Sequence, residues 1–163
     1  MKKILVILFC LVTYVSNAQT EAVKLYHPAA DAEKDIAAAV KKARAENKYV
    51  LIMGGGNWCS WCIEFDRFCK ADAKIDSVIN TSFVWYHLNW SKENENKKTF
   101  AKYGYPQRFG FPVFLILNQK GKRIHTQNSV YFEDGKKSYE KTKVLSFLEM
   151  WSPKALDPKM YQD

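Results

Sequence analysis

Apolar and polar positions follow two different periods along this chain, and the switches between them mark its elements. From Asp31 onward, Ile36, Ala39, Val40 and Ala43 recur at helical spacing, with Asp31 as a cap and Lys41, Lys42 and Arg44 toward the far end. That predicts a helix over Asp31 to Glu46. The uninterrupted run Tyr49 to Met53 then reads as a buried strand, and the stretch from Cys59 to Lys70 or Ala73 as a second helix. On that helix Cys62, Phe65, Phe68 and Cys69 share one face, while Glu64, Arg67 and Lys70 fall outside it. Phe83 to Leu88 is the next β-prone run and is expected to be the central strand. Ser91 is placed to cap a polar helix over Lys92 to Tyr103, with Phe100 and Tyr103 inward. Val113 to Leu117 and Arg123 to Phe132, joined by a turn at Gly121, predict an antiparallel hairpin. A last helix over Ser138 to Trp151 carries Val144, Phe147, Leu148 and Trp151 at helical spacing. Val23 to Tyr26 suits a short strand, and the tail Ser152 to Asp163 is expected to lie over the surface. Strands and helices in this order make an α/β domain, a mixed sheet flanked by helices.

The 163 residues suit one domain, with its core over about residues 30–151. Residues 1–18 read as a signal peptide. Lys2 and Lys3 form a basic start, Ile4 to Val15 an apolar centre well short of the ~20 residues of a membrane span, and Ser16-Asn17-Ala18 a small-residue cleavage site. The mature domain is then 19–163, periplasmic or secreted, with no stable membrane insertion after cleavage. Net charge is +8 and falls by two once Lys2 and Lys3 leave. The basic residues are scattered among acids rather than gathered on one element, which argues for a solvated surface and against nucleic acid as a partner.

The chemistry concentrates where the strand Tyr49 to Met53 runs through Gly54-Gly55-Gly56-Asn57-Trp58 into Cys59-Ser60-Trp61-Cys62. A Cys-x-x-Cys on a strand-to-helix turn puts both thiols at the first helical turn, where unpaired backbone N–H groups and the helix dipole favour a thiolate. Cys59, nearest the helix start, is the more activated. A stabilising disulfide is a poor alternative, because closing so short a loop removes little unfolded-state entropy. A zinc site from Cys59, Cys62 and Cys69 or a histidine lacks the second pair that makes such spacings convincing, so neither metal nor cofactor is expected. Cys69 lies ~10 Å along the helix from Cys62, too far for a disulfide, and reads as a packed thiol. A binding module for exported polypeptides, with incidental cysteines, is the other reading left open.

Trp58 before the first cysteine and Gly110-Phe111-Pro112 opening a later apolar strand complete a pattern that resembles the thioredoxin superfamily, in particular exported members with Trp-Cys-x-Trp-Cys. The resemblance implies a thioredoxin-like fold and thiol-disulfide exchange with protein or peptide thiols and disulfides, maintained by a further redox partner protein. It implies Cys59 as nucleophile, Cys62 as resolving thiol, a cis bond between Phe111 and Pro112, and a substrate-docking rim of Trp58, Trp61, Phe111 and Pro112. Two positions depart from the family. Met53 stands where thioredoxins commonly bury an acid that helps deprotonate the resolving thiol, which leaves that help to another group such as Glu64. The dipeptide Ser60-Trp61 is neither Gly-Pro nor Pro-His.

Overall fold

The computed structural model describes residues 24–162, so the signal peptide assigned to residues 1–18 lies outside the described residues. Four strands form one sheet: β1 (Tyr49–Gly55), β2 (Phe83–Asn89), β3 (Val113–Leu117) and β4 (Arg123–Asn128). Their order is β2-β1-β3-β4, with β1 parallel to β2 and antiparallel to β3, and β3 antiparallel to β4. Among the described residues five α-helices flank it: α1 (Ala32–Ala45), α2 (Ser60–Ala71), α3 (Ala73–Ser82), α4 (Lys97–Lys102) and α5 (Lys141–Met150).

Burial explains which strands lie inside. On β1, Leu51 and Met53 enter the core shared with α2, α3 and α5, whereas Val50 and Ile52 enter the opposite core shared with α1 and α4. β3 divides likewise, Phe114 and Ile116 against Leu115 and Leu117. A strand covered on both faces needs apolar side chains at every position, which is why these two runs are uninterrupted. The expectation that Phe83 to Leu88 is central is corrected here. β2 occupies a sheet edge, and its middle residues Val84 to His87 are only half-buried, as an edge strand permits.

The expected and observed helices agree best where caps are clear. Asp31 accepts from the Lys34 N–H at 3.1 Å and opens α1. α3 has no counterpart in the expectations. It begins because Asp72, the residue ending α2, also accepts from Lys74 and Ile75 N–H groups, and it holds by burying Ile75 and Ile79. The expected helix over Lys92 to Tyr103 shrinks to α4. Asparagine side chains offer the backbone an alternative to the helix in residues 89–96: Asn89 donates to the Asn94 carbonyl at 2.7 Å and Asn96 to the Asn89 carbonyl at 2.9 Å. Asn96 itself is left-handed, with φ 46°. The hairpin expected to reach Phe132 stops pairing at Asn128, and α5 starts at Lys141 rather than Ser138. Lys24 to Tyr26 form no strand; instead Tyr26 exchanges two hydrogen bonds with Asn57, from its N–H to Oδ1 at 2.9 Å and from Nδ2 to its carbonyl at 2.8 Å. Among the described residues no helix is long and apolar enough to cross a membrane.

Candidate active site

β1 delivers the chain through Gly55 and Gly56 to Cys59, which caps α2: its Sγ accepts from the Cys62 N–H at 3.2 Å. Cys59 and Cys62 form a disulfide with Cα atoms 5.2 Å apart. Cys59 keeps 5% of its surface exposed, whereas Cys62 is fully enclosed by the core. The two cysteines are therefore unequal: Cys59 caps the helix and keeps a little exposure, whereas Cys62 lies a turn further in with none. Cys69 is free and fully buried, and burial, followed by Asp66, pushes its thiol far above the ordinary cysteine range.

The Phe111–Pro112 bond is cis, and Pro112 sits buried immediately before β3. Trp58 and Phe111 meet edge to face at 5.7 Å between ring centroids. Trp58 is 60% exposed, and its indole N–H donates to the Trp90 carbonyl at 2.7 Å, which fixes the ring against the loop after β2. Trp61 takes a different place. It packs edge to face on Tyr139 at 5.4 Å, and the Tyr139 hydroxyl donates to the Trp61 carbonyl at 2.9 Å, so it stands half-buried and apart from the Trp58–Phe111 pair. Further exposed apolar side chains, Tyr105 and Phe109 ahead of Pro112 and Val130 and Tyr131 after β4, went unnoticed in the sequence. Asn128 pairs with Val113, so the Val130–Tyr131 turn leaves β4 at the end of the sheet where Pro112 enters β3.

Met53, at the position where an acid was expected and missing, is fully buried beside His87 across the β1–β2 ladder. The Glu64 carboxylate is engaged elsewhere, bonded to Arg67 at 2.7 and 2.8 Å and to Ser138 at 2.6 Å. The buried acid on α2 is Asp66, one turn past Cys62. Its Oδ2 pairs with Lys70 at 2.8 Å, and its Oδ1 lies 3.5 Å from His87 Nε2 without hydrogen-bond geometry. Burial pushes the Asp66 carboxyl up, but His87 and Lys70 together hold it below the ordinary carboxylate range. Tyr26 joins this group, its ring edge to face with His87 at 5.6 Å. Sequence reading missed Asp66, whose spacing of one helical turn from Cys62 was the available signal. Among the described residues no group of three or more His, Cys, Asp or Glu is arranged to hold a metal ion.

Comparison with known proteins agrees with this geometry. A 119-residue stretch, 72% of this chain, is 25% identical to a thiol:disulfide interchange protein DsbD of Colwellia psychrerythraea; it spans only 18% of that protein's length. The disulphide isomerase of Xylella fastidiosa Temecula1 has the same fold at TM-score 0.66, with 22% identity over 76% of this chain and 93% of that one. The oxidised C-terminal domain of Neisseria meningitidis DsbD follows at TM-score 0.55, with 16% identity over 75% of this chain and 97% of that one. The mixed sheet is thus the thioredoxin-like fold. A profile of the family described as Thioredoxin-like matches residues 31–119, more than half of the chain and the whole span from the cap of α1 through the Cys59–Cys62 pair and Pro112 to the end of β3, so this chain belongs to the thioredoxin-like family.

Proposed function

We propose that this protein is an exported thiol-disulfide oxidoreductase that exchanges electrons with protein or peptide disulfides through Cys59 and Cys62. One observation carries the reading: the disulfide closes over the first turn of α2, with Cys59 at the cap and Cys62 enclosed below. A sulfur at a helix N-terminus is the one whose thiolate the unpaired N–H groups and dipole stabilise. In this mechanism the Cys59 thiolate attacks a partner disulfide, breaks its S–S bond and forms a mixed disulfide. Cys62 then attacks Cys59 and releases the partner reduced; the same steps in reverse oxidise a partner dithiol.

The surroundings fit a polypeptide substrate. The Trp58–Phe111 pair supplies exposed apolar area beside Pro112, and Tyr105, Phe109, Val130 and Tyr131 are further exposed apolar side chains on the segments that lead into β3 and out of β4. Pro112 offers no N–H, so an extended partner segment bonds to the backbone of Phe111 instead. Trp61 contributes by holding Tyr139 and the helix start rather than through the rim. A separate redox protein resets the pair after each turnover, and the signal peptide assigned to residues 1–18 takes the protein to the periplasm or outside the cell, where such a pair cycles.

The test is trapping. Cells expressing Cys62→Ser are expected to show higher-mass adducts on non-reducing gels that vanish with reductant and are missing when Cys59 is also replaced by serine. Adducts that persist in the double variant would assign the chemistry to another cysteine.

A further inference from the structure

Tyr26 is 1% exposed, and its hydroxyl has no hydrogen-bond partner in the disulfide form. Buried hydroxyls are rarely left unpaired. Its location gives a reason. A Cβ built on Gly55 would collide first with Cys62 Sγ and next with the Tyr26 hydroxyl oxygen, so the missing side chain of Gly55 leaves the sulfur and the hydroxyl facing each other across one small space. The reciprocal hydrogen bonds with Asn57 hold the Tyr26 backbone to the loop that carries Cys59. His87 on β2 buttresses the ring, and Asp66 on α2 lies behind His87. Burial first, then the Asp66 charge, push the Tyr26 hydroxyl well above the ordinary tyrosine range, so it stays protonated and acts as a donor.

We propose that the Tyr26 hydroxyl is the hydrogen-bond donor to the Cys62 sulfur, idle in the disulfide and engaged when Cys62 is a thiolate. This rests on the oxidoreductase reading above. A disulfide sulfur is a weak acceptor, whereas a thiolate is a charged one, and a hydrogen bond to the charged form favours it. In resolution, the Cys62 thiolate attacks Cys59 of the mixed disulfide. The Cys59–Cys62 bond forms, the bond from Cys59 to the partner sulfur breaks, and that sulfur leaves with the electron pair and takes up the proton Cys62 gave up. Two electrons pass from the cysteine pair to the partner. In the reverse direction Cys62 is the leaving sulfur, and the same donor stabilises it. Tyr26 thereby opposes the charge of Asp66, which on its own disfavours a second anion nearby, and favours the thiolate by donating to it rather than by accepting its proton.

The test reads the sulfur directly. In Cys59→Ser protein the titration of Cys62 is followed by its 13Cβ chemical shift, with and without Tyr26→Phe, which deletes the hydroxyl and keeps the ring. The Cys62 pKa is expected to rise by about one unit, a tenfold smaller thiolate fraction, and release of glutathione from a Cys59 mixed disulfide to slow about tenfold in Tyr26→Phe. Coincident titrations overturn the assignment. If Tyr26→Phe does not fold, Asn57→Ala, which removes the tether and keeps the hydroxyl, is expected to raise the same pKa, and an unchanged value overturns the proposal. Turnover separates the two readings. An active wild type with coincident titrations counts against Tyr26 alone, whereas a shifted titration in a wild type that cannot reduce insulin disulfides counts against the oxidoreductase reading alone.

Discussion

Met53 and His87 stand side by side across the parallel β1–β2 ladder, and His87 reaches to within 3.5 Å of Asp66 on α2. The position of Met53 is therefore apolar, and the buried acid nearest this part of the ladder, Asp66, comes from the helix that carries Cys62. Asp66 is 6% exposed, yet Lys70, its partner, is mostly in solvent, so part of that pairing is screened.

Replacing Asp66 by Asn is expected to destabilise the fold by about 1–2 kcal/mol at neutral pH, as loss of a charged, partly screened buried contact does. The sign of its pH dependence follows from the lowered carboxyl. Its contribution is complete above the unfolded carboxyl value of about 3.9 and disappears as pH falls through the lower folded value. Urea unfolding of wild type and Asp66→Asn at pH 7 and near pH 2.5 is expected to show a gap that narrows in acid. A gap that widens in acid would contradict the ionised Asp66.

Cys69 is expected to stay unmodified by iodoacetamide in the native, reduced protein while Cys59 reacts, because it is fully buried on α2 and its thiol is pushed far up. In urea it should label like any free cysteine. Peptide mapping that found Cys69 bonded to Cys59 or Cys62 would require α2 to unwind between them.

Trp58→Ala is expected to weaken the use of a peptide disulfide mainly through KM, severalfold, because it removes exposed apolar area and the contact that braces Phe111. Trp61→Ala acts differently. Its ring packs on Tyr139 in the core, so loss of stability is expected to dominate, read as a lower melting temperature. Equal effects of the two variants on KM would place Trp61 in the rim after all.

What the sequence made legible was whatever a local pattern specifies. The apolar runs of β1 and β3 follow from burial on both faces, α1 from its Asp31 cap, and the Cys59–Cys62 pair from its spacing together with the strand before it, Trp58 and the later Phe111-Pro112. α3 stayed hidden because Asp72 ends one helix and starts another, so no loop separates them, and because only Ile75 and Ile79 among its residues are buried. The edge position of β2 depends on which strands pair, and nothing within Phe83 to Leu88 encodes that. The group around Cys62 was illegible for a related reason: Tyr26, Asp66 and His87 come from three separate segments and are neighbours only in the folded chain.

Gly55 and Gly110 test two different requirements for glycine. Gly55 lies in β1 with ordinary backbone, and a Cβ there would strike Cys62 and Tyr26. Gly110 has φ 81° and open space around it, so a Cβ meets nothing and the cost is backbone strain alone. Gly110→Ala is therefore expected to cost about 1–3 kcal/mol, because φ 81° with ψ -169° is a backbone region essentially confined to glycine, with the Cys59–Cys62 exchange rate nearly unchanged. Gly55→Ala is expected to cost about 1–3 kcal/mol, as overpacking a core does, and also to slow the attack of Cys62 on a Cys59 mixed disulfide, because the methyl group occupies the space between sulfur and hydroxyl. The measurement pairs denaturant unfolding with stopped-flow release of glutathione from Cys59. A Gly55→Ala protein that is less stable but resolves its mixed disulfide at the wild-type rate would mean that the methyl is accommodated by moving a neighbour other than Cys62 or Tyr26.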